Sequence, residues 1–239
     1  MNETQLIKNG IRIDGRKFDE LRPIEAKVGV LKRANGSAFF KIGNTAAIAG
    51  VIGPRKVYPK HKEQSDRAII RTDYKMAPFS TTDRSRPGPN RRSTEISLVT
   101  RKALTPVIFL EEFPKTSIDV FIEIIQADAS TRCAGINAAA LALADAGIPM
   151  RDLVASCSAG IVEGHIIMDI AGKEDTAGEL DFPIAYYPKK KEITLLQMDG
   201  IADKDQFKKI LHLAVKGSEK IYEIQKKALR EKYEGELAE

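Results

Sequence analysis

Three short segments carry residue types that can act on an anionic substrate. The first is Ala127-Asp128-Ala129-Ser130-Thr131-Arg132, which falls between a strand-like and a helix-like stretch. With Ser130 as N-cap, the N–H groups of the first helical turn point outward at the positive end of the helix dipole and make an anion site. The two hydroxyls and the Arg132 guanidinium at that mouth complete a phosphate cradle. Ordinary capping explains a serine at a helix start equally well.

The second segment is Asp175-Thr176-Ala177-Gly178-Glu179-Leu180-Asp181. Its carboxylates suit acid–base work or a hard divalent cation. As an extended strand at ~3.3 Å per residue it would hold Asp175 and Asp181 roughly 20 Å apart. They share a site only if the chain turns between them, which Gly178 permits. The alternative is a solvated acidic turn. The third signal is basic: Arg84, Arg86, Arg91 and Arg92 crowd one segment, and Lys56, Lys60, His61 and Lys62 another. Arginine forks suit phosphodiesters, although a single charged cluster is more often a solvated loop.

Other chemistries lack their residues. There is no GxxxxGK[ST], no HExxH and no nucleophile elbow. Cys133 and Cys157 form no CxxC pair and lie near no histidine at metal-ligand spacing, so they read as buried thiols of a reducing compartment. No apolar h-region follows the N-terminus, and every apolar run is too short to span a bilayer. The expectation is a soluble, cytoplasmic protein with no membrane partner. A net charge of +5 fits a polyanion without proving one, and the absence of Trp argues against a surface built on stacking.

The elements that must position these groups follow from periodicity. Strands are expected at Ile24–Lys32, Ser37–Gly43 and Thr45–Ile52, separated by the turn signals Asn35-Gly36 and Gly43-Asn44. A further strand is expected at Ala68–Met76, followed by a basic Pro/Gly-rich loop over 81–92. Ser93 is read as the N-cap of the next helix, which Pro106 ends or kinks. A buried strand is expected at Ile118–Gln126. A helix over Thr131–Ala146 carries the apolar stripe Cys133, Ile136, Ala140, Leu141 and Ala144, with Gly147 at C′. Strands recur at Leu153–Val162, His165–Ile170, Phe182–Tyr187 and Ile193–Met198. Asp203 and Gln206 form a capping box for a long last helix. The pattern predicts a mixed α/β (α+β) domain whose helices cover a largely antiparallel sheet. Residues 1–10 are expected to be loose, 11–232 to form the domain and 233–239 to be a charged tail.

In this order the motifs resemble the ribonuclease PH family. Asp14-Gly15-Arg16, Gly36-Ser37, Gly43-Asn44-Thr45, Pro78-Phe79-Ser80 and Arg91-Arg92-Ser93 are followed by Gln126-Ala127-Asp128, Asp145–Met150 and Asp181-Phe182-Pro183. Each is weak alone, but the joint order over roughly residues 10 to 232 is specific. ALADAGIPMRD over Ala142–Asp152 and LQMDG over Leu196–Gly200 are more similar to the active subunit of the archaeal exosome than to the bacterial enzyme.

The resemblance implies a ribosomal-protein-S5-domain-2-like fold of two related βαβ halves. It implies a hexameric ring of three heterodimers with an inactive paralogue, capped by RNA-binding subunits. It further implies that RNA is degraded 3′→5′ by phosphorolysis to nucleoside diphosphates, with a reverse reaction that adds tails. Residue by residue, Arg91 and Arg92 would hold RNA, and Lys60, with His61 beside it, would sit at a basic pore neck. Ser130, Thr131 and Arg132 would bind the attacking inorganic phosphate. Asp175 and Asp181 would be the catalytic acidic pair, as proton donor or as ligands of Mg²⁺ or another divalent metal. The family usually has Gly where this chain has Ser130. A non-catalytic RNA-binding ring subunit is the alternative reading, and the acidic pair with Arg132 argues against it.

Overall fold

The computed structural model describes residues 5–8 and 10–236. Residues 1–4, 9 and 237–239, which belong to the expected loose N-terminus and charged tail, lie outside the described residues. Two short strands, β1 (Ile7–Lys8) and β2 (Ile11–Arg12), pair antiparallel at the start of the described chain.

One sheet follows, in the order β3 (Ile24–Val28), β4 (Gly36–Ile42), β5 (Thr45–Lys56), β7 (Thr116–Gln126), β6 (Ile69–Met76). The β3–β4–β5 meander expected from the turn signals is present, and β5 pairs antiparallel with β7. The β6–β7 pair is parallel, because helix α1 (Arg91–Leu104) crosses over between them. After helix α2 (Thr131–Asp145) a second sheet runs β11 (Glu192–Leu196), β10 (Leu180–Tyr187), β8 (Ala155–Val162), β9 (His165–Met168), with β12 (Asp199–Gly200) also pairing β10. A five-residue helix, α3 (Lys173–Ala177), precedes β10, and α4 (Lys204–Glu236) closes the chain.

Two expectations need correction. The helices cover two sheets, not one. The reason lies in α2, which is buried nearly all round and not along one stripe. Its alanines and Gly135 let it pack against strands of both sheets. Buried Asn137 ties it to the second sheet by exchanging hydrogen bonds of 2.8 Å with the Ser156 backbone. Second, Asn90, not Ser93, caps α1. Asn90 Oδ1 accepts from Ser93 N at 2.7 Å, and Ser93 Oγ accepts from Asn90 N at 2.9 Å. The expected stop at Pro106 is present: α1 ends just before it, at Leu104, and Pro106 sits in a 3₁₀ turn beyond, where a missing N–H is harmless. The Asp203–Gln206 capping box is formed, with reciprocal bonds of 2.9 and 2.8 Å.

The main apolar core runs through both halves of the chain, from Phe40 and Ile122 to Cys157, Tyr187 and Ile221. The two sheets are therefore held as one body, and a cleft between them can be a rigid site.

Candidate active site

A cavity of about 750 Å³ opens where α2 starts and β10 begins. Its lining brings together Ser130, Thr131, Arg132 and Arg92 on one side and Asp175, Glu179, Asp181 and Asp199 on the other. One wall carries the two arginines, with the Glu95 carboxylate paired to Arg132, and the other is acidic. Arg91 is exposed just outside the lining, and Lys60 and His61 are exposed in a 3₁₀ turn (Lys60–Lys62) elsewhere.

The phosphate-type loop is built differently from the expectation. Ser130 occupies the N-cap position of α2, but its side chain makes no cap. Its Oγ pairs with Ser158 Oγ at 2.8 Å and donates to the Ile170 carbonyl at 2.9 Å. The first-turn N–H groups of α2 thus remain free of a capping oxygen and face the cavity. Ala129 and Ser130 both lie in the left-handed region, at φ 61° and 53°. That conformation favours glycine, which accounts for the family's usual residue there. In this chain the two hydrogen bonds offset the strain.

The loop is tied down by residues that read as turn signals or signature letters in the sequence. Thr45 Oγ1 donates to the Ala129 carbonyl at 2.7 Å and accepts from Asp128 N at 2.9 Å. Asn44 Nδ2 reaches Asp128 Oδ2 at 3.2 Å, and Ala127 N donates to the Ser80 carbonyl at 2.8 Å. The Gly43-Asn44-Thr45 and Pro78-Phe79-Ser80 motifs are thus the mount of the loop.

The acidic wall is mounted on an ionic cluster at the join between the halves. Arg12, Arg16 and Arg22 are buried, and so are Asp169 and Glu174. Arg12 makes a bidentate pair with Glu174, the neighbour of Asp175, and also donates to the Met168 and Asp169 carbonyls at 2.7 and 2.8 Å. Arg16 bridges Asp14 and Asp169. Arg22 binds Asp169 and donates to the Asp128 carbonyl at 2.7 Å. The Asp14-Gly15-Arg16 signature is therefore scaffold. Sequence reasoning missed Arg12, Arg22, Asp169 and Glu174, because charged residues far apart in the chain carry no spacing signal.

Asp175 and Asp181 converge because the chain is helical, not extended, at Asp175. Gly178 ends α3 at an ordinary φ of −73°, so its role is room, not handedness: a Cβ there would stand 2.5 Å from the Glu174 carbonyl. Gly160, opposite Asp181 in the β8–β10 pair, has the same function, since a Cβ would meet the Leu180 carbonyl at 2.0 Å. Burial pushes the Asp181 carboxyl up to about 6. The charge of Asp175 adds to the rise, Arg132 opposes it, and Asp199, its register partner on β12, adds a little more. Burial also lifts the thiol of Cys133, on α2 beside Arg132 in the cavity lining, to about 12, so it stays protonated and is no nucleophile.

Arg132 is held by Glu95, with Nη2 to Oε2 at 3.1 Å, and its Nε is buried without a hydrogen-bond partner. A buried, unpaired guanidinium N–H beside uncapped helix N–H groups is an arrangement that an anion completes. Across the cavity, a carboxyl that ionises near 6 can lend a proton at neutral pH. Two neighbouring carboxylates are also hard oxygen donors of the kind Mg²⁺ takes. Among the described residues no group of three or more His, Cys, Asp or Glu forms a metal cluster, and no helix is long and apolar enough to cross a membrane.

Comparison with known proteins gives the chain's family. The profile of the 3′ exoribonuclease family, domain 1, matches residues 20–149, and that of domain 2 matches residues 152–217. The chain is similar to the exosome complex component Rrp41 of Pyrococcus furiosus, with 59% identity over 95% of this chain and 90% of that one. The Rrp41 of Methanopyrus kandleri is 53% identical over 98% of both chains. Among solved structures, rice Rrp46 superposes with a TM-score of 0.83 at 24% identity, covering 92% of this chain and all of that one, a likeness of fold. A chain of the Archaeoglobus fulgidus exosome with RNA bound to the active site gives a TM-score of 0.78 at 25% identity, covering 94% of this chain and 93% of that one.

Proposed function

The chain belongs to the 3′ exoribonuclease family, the ribonuclease PH family, and on that footing we propose that it is the catalytic subunit of an archaeal exosome. It is a phosphate-dependent 3′→5′ exoribonuclease that releases nucleoside diphosphates, and the reverse reaction adds tails. The observation that carries this reading is a single cavity holding a vacant arginine N–H and uncapped helix N–H groups opposite a carboxyl that titrates near 6.

In this reading inorganic phosphate lies against Ser130–Arg132, oriented by the N–H groups of α2 and by the Arg132 fork. Its oxygen attacks the last phosphodiester in line, and the 3′-oxygen of the penultimate nucleotide leaves. Both reacting groups are anionic, so cationic positioning supplies most of the rate. Arg92, at the mouth beside Thr131 (Nη2 to Oγ1 3.4 Å), and exposed Arg91 hold the RNA backbone. Asp181, protonated in part at neutral pH, gives its proton to the leaving oxygen, and Asp175 sustains its raised affinity for that proton. A divalent cation such as Mg²⁺, where bound, would be held by Asp175 and Asp181 and would supply charge neutralisation at the leaving oxygen.

We further infer a hexameric ring in which an inactive paralogue alternates with this chain, capped by RNA-binding subunits, with Lys60 and His61 facing the RNA path. An apolar patch on the open face of the first sheet, made by Val30, Leu31, Ile48, Ile52 and Phe121, supports a protein partner there. The buried, unpaired thiols of Cys133 and Cys157 suit the cytoplasm. The deciding experiment incubates 3′-labelled RNA with the chain and its partners, with and without phosphate. Phosphate-dependent release of diphosphates supports the reading; monophosphates released without phosphate overturn it.

A further inference from the structure

We propose that Glu95 is a positioning residue of the phosphate site: it aims Arg132, and is itself locked from the far side by Gln197. The proposal rests on the reading of Ser130–Arg132 as that site. Glu95 lies one turn into α1, just past Arg92. One carboxylate oxygen accepts from Arg132 Nη2 at 3.1 Å, and the other accepts from Gln197 Nε2 at 2.7 Å. Gln197 follows β11 and is secured by its own N–H, which donates to the Pro183 carbonyl at 3.1 Å. The relay therefore joins α1, α2 and the second sheet, and all of its side chains line the cavity.

A carboxylate beside an anion site can do one of two things: compete with the anion, or hold the cation that binds it. A competing carboxylate must be able to swing away. Glu95 cannot do so cheaply, because Gln197 fixes its second oxygen. It also uses only one edge of the guanidinium, leaving the buried Arg132 Nε unmatched for a ligand. An arginine on a long stem loses rotamer freedom whenever it binds, and a fixed acceptor removes that loss before the ligand arrives. Glu95 thus trades some electrostatic repulsion for preorganisation of the fork.

The test is steady-state phosphorolysis by the chain assembled with its partner subunits, titrating phosphate at saturating RNA. Glu95→Ala is expected to raise the KM for phosphate about tenfold, the size of one charge-assisted hydrogen bond, with kcat and RNA affinity nearly unchanged. Glu95→Gln keeps an acceptor oxygen and should restore most of the phosphate affinity. In the tailing direction the KM for the nucleoside diphosphate should rise in parallel. A lowered KM for phosphate in both variants would make Glu95 a competitor and overturn the proposal. An unchanged KM, or a joint fall of kcat and RNA affinity not rescued by Gln, would overturn it as well. Arg132→Ala is run alongside: if that variant keeps its phosphate KM, the phosphate site itself has been misplaced, and Glu95 falls with it.

Discussion

Arg22 grips Asp169 three times: its backbone N–H and Nε both donate to Oδ2, at 2.8 and 2.9 Å, and Nη2 donates to Oδ1 at 2.7 Å. From the same guanidinium Nη1 runs on to the carbonyl of Asp128, in the phosphate loop, and Nη2 to that of Ile170 at 3.3 Å. Ile170 in turn receives Ser130 Oγ. One buried ion pair thereby spans the anion loop and the segment leading to Asp175.

Removing that carboxylate should therefore strike fold and site together. Asp169→Asn leaves Arg22 and Arg16 buried with too little negative charge, and breaking a buried pair in this way costs about 3–5 kcal/mol. Denaturant unfolding checks the stability, and phosphate titration of the surviving folded protein checks the site. A loss below about 1 kcal/mol would show that the cluster is solvated.

Ser130 gives a graded prediction. Ser130→Ala keeps the left-handed backbone but loses both hydrogen bonds, whereas Ser130→Gly loses the bonds and relieves the strain. Two hydrogen bonds at about 1 kcal/mol each outweigh strain of about 1 kcal/mol. The expected order of stability is Ser above Gly above Ala, read from urea midpoints. Alanine equal to serine would mean that the Ser158 and Ile170 contacts carry nothing.

That case also shows where the sequence was legible. Periodicity located α2, the Gly147 end and the Asp203–Gln206 box, because each rests on neighbours within one or two turns. The family resemblance singled out a loop and two carboxylates that line one cavity. It did not foretell how they are mounted. Helix α3 is five residues long and has no apolar period, so the approach of Asp175 to Asp181 could be stated only as a condition on Gly178. Arg12, Arg22 and Glu174 carry no signal in the sequence, because their partners lie more than a hundred residues away in it. Glu95 escaped notice for the same reason, and Gln197 was read only as a letter of the LQMDG motif.

Arg132→Ala separates the two substrates. Arg132 lies at the helix N-terminus and not on the exposed basic face, so RNA affinity should hold within about twofold while the phosphate KM rises by about tenfold or more, as for loss of a charge-assisted fork. Arg91→Glu with Arg92→Glu should do the converse, weakening RNA and flattening the salt dependence of its binding as fewer counterions are released. Equal effects of both variants on both substrates would dissolve the division of labour.

Asp181→Asn tests the mechanism and its pH dependence in one variant. The folded carboxyl titrates near 6, above its ordinary 3.8, because burial and then the charge of Asp175 penalise its ionised form. The group's contribution to stability is thus fully present below pH 3.8 and is lost as pH rises through 6. Asparagine never ionises, so the variant should gain stability over the wild type between about pH 4 and pH 6 and hold that gain at higher pH. Turnover should move the other way, falling by ~10²–10⁴ as expected when a general acid is removed. RNA affinity should stay level or rise, since a charge facing the phosphates is gone. Tailing should fall in step with degradation, because both directions cross one transition state. Wild-type turnover should also decline as pH rises above about 6, where the proton is lost. A variant that is no more stable at pH 8 than at pH 4 relative to the wild type would place the Asp181 carboxylate in water. One that loses degradation but keeps full tailing would remove Asp181 from the shared proton transfer.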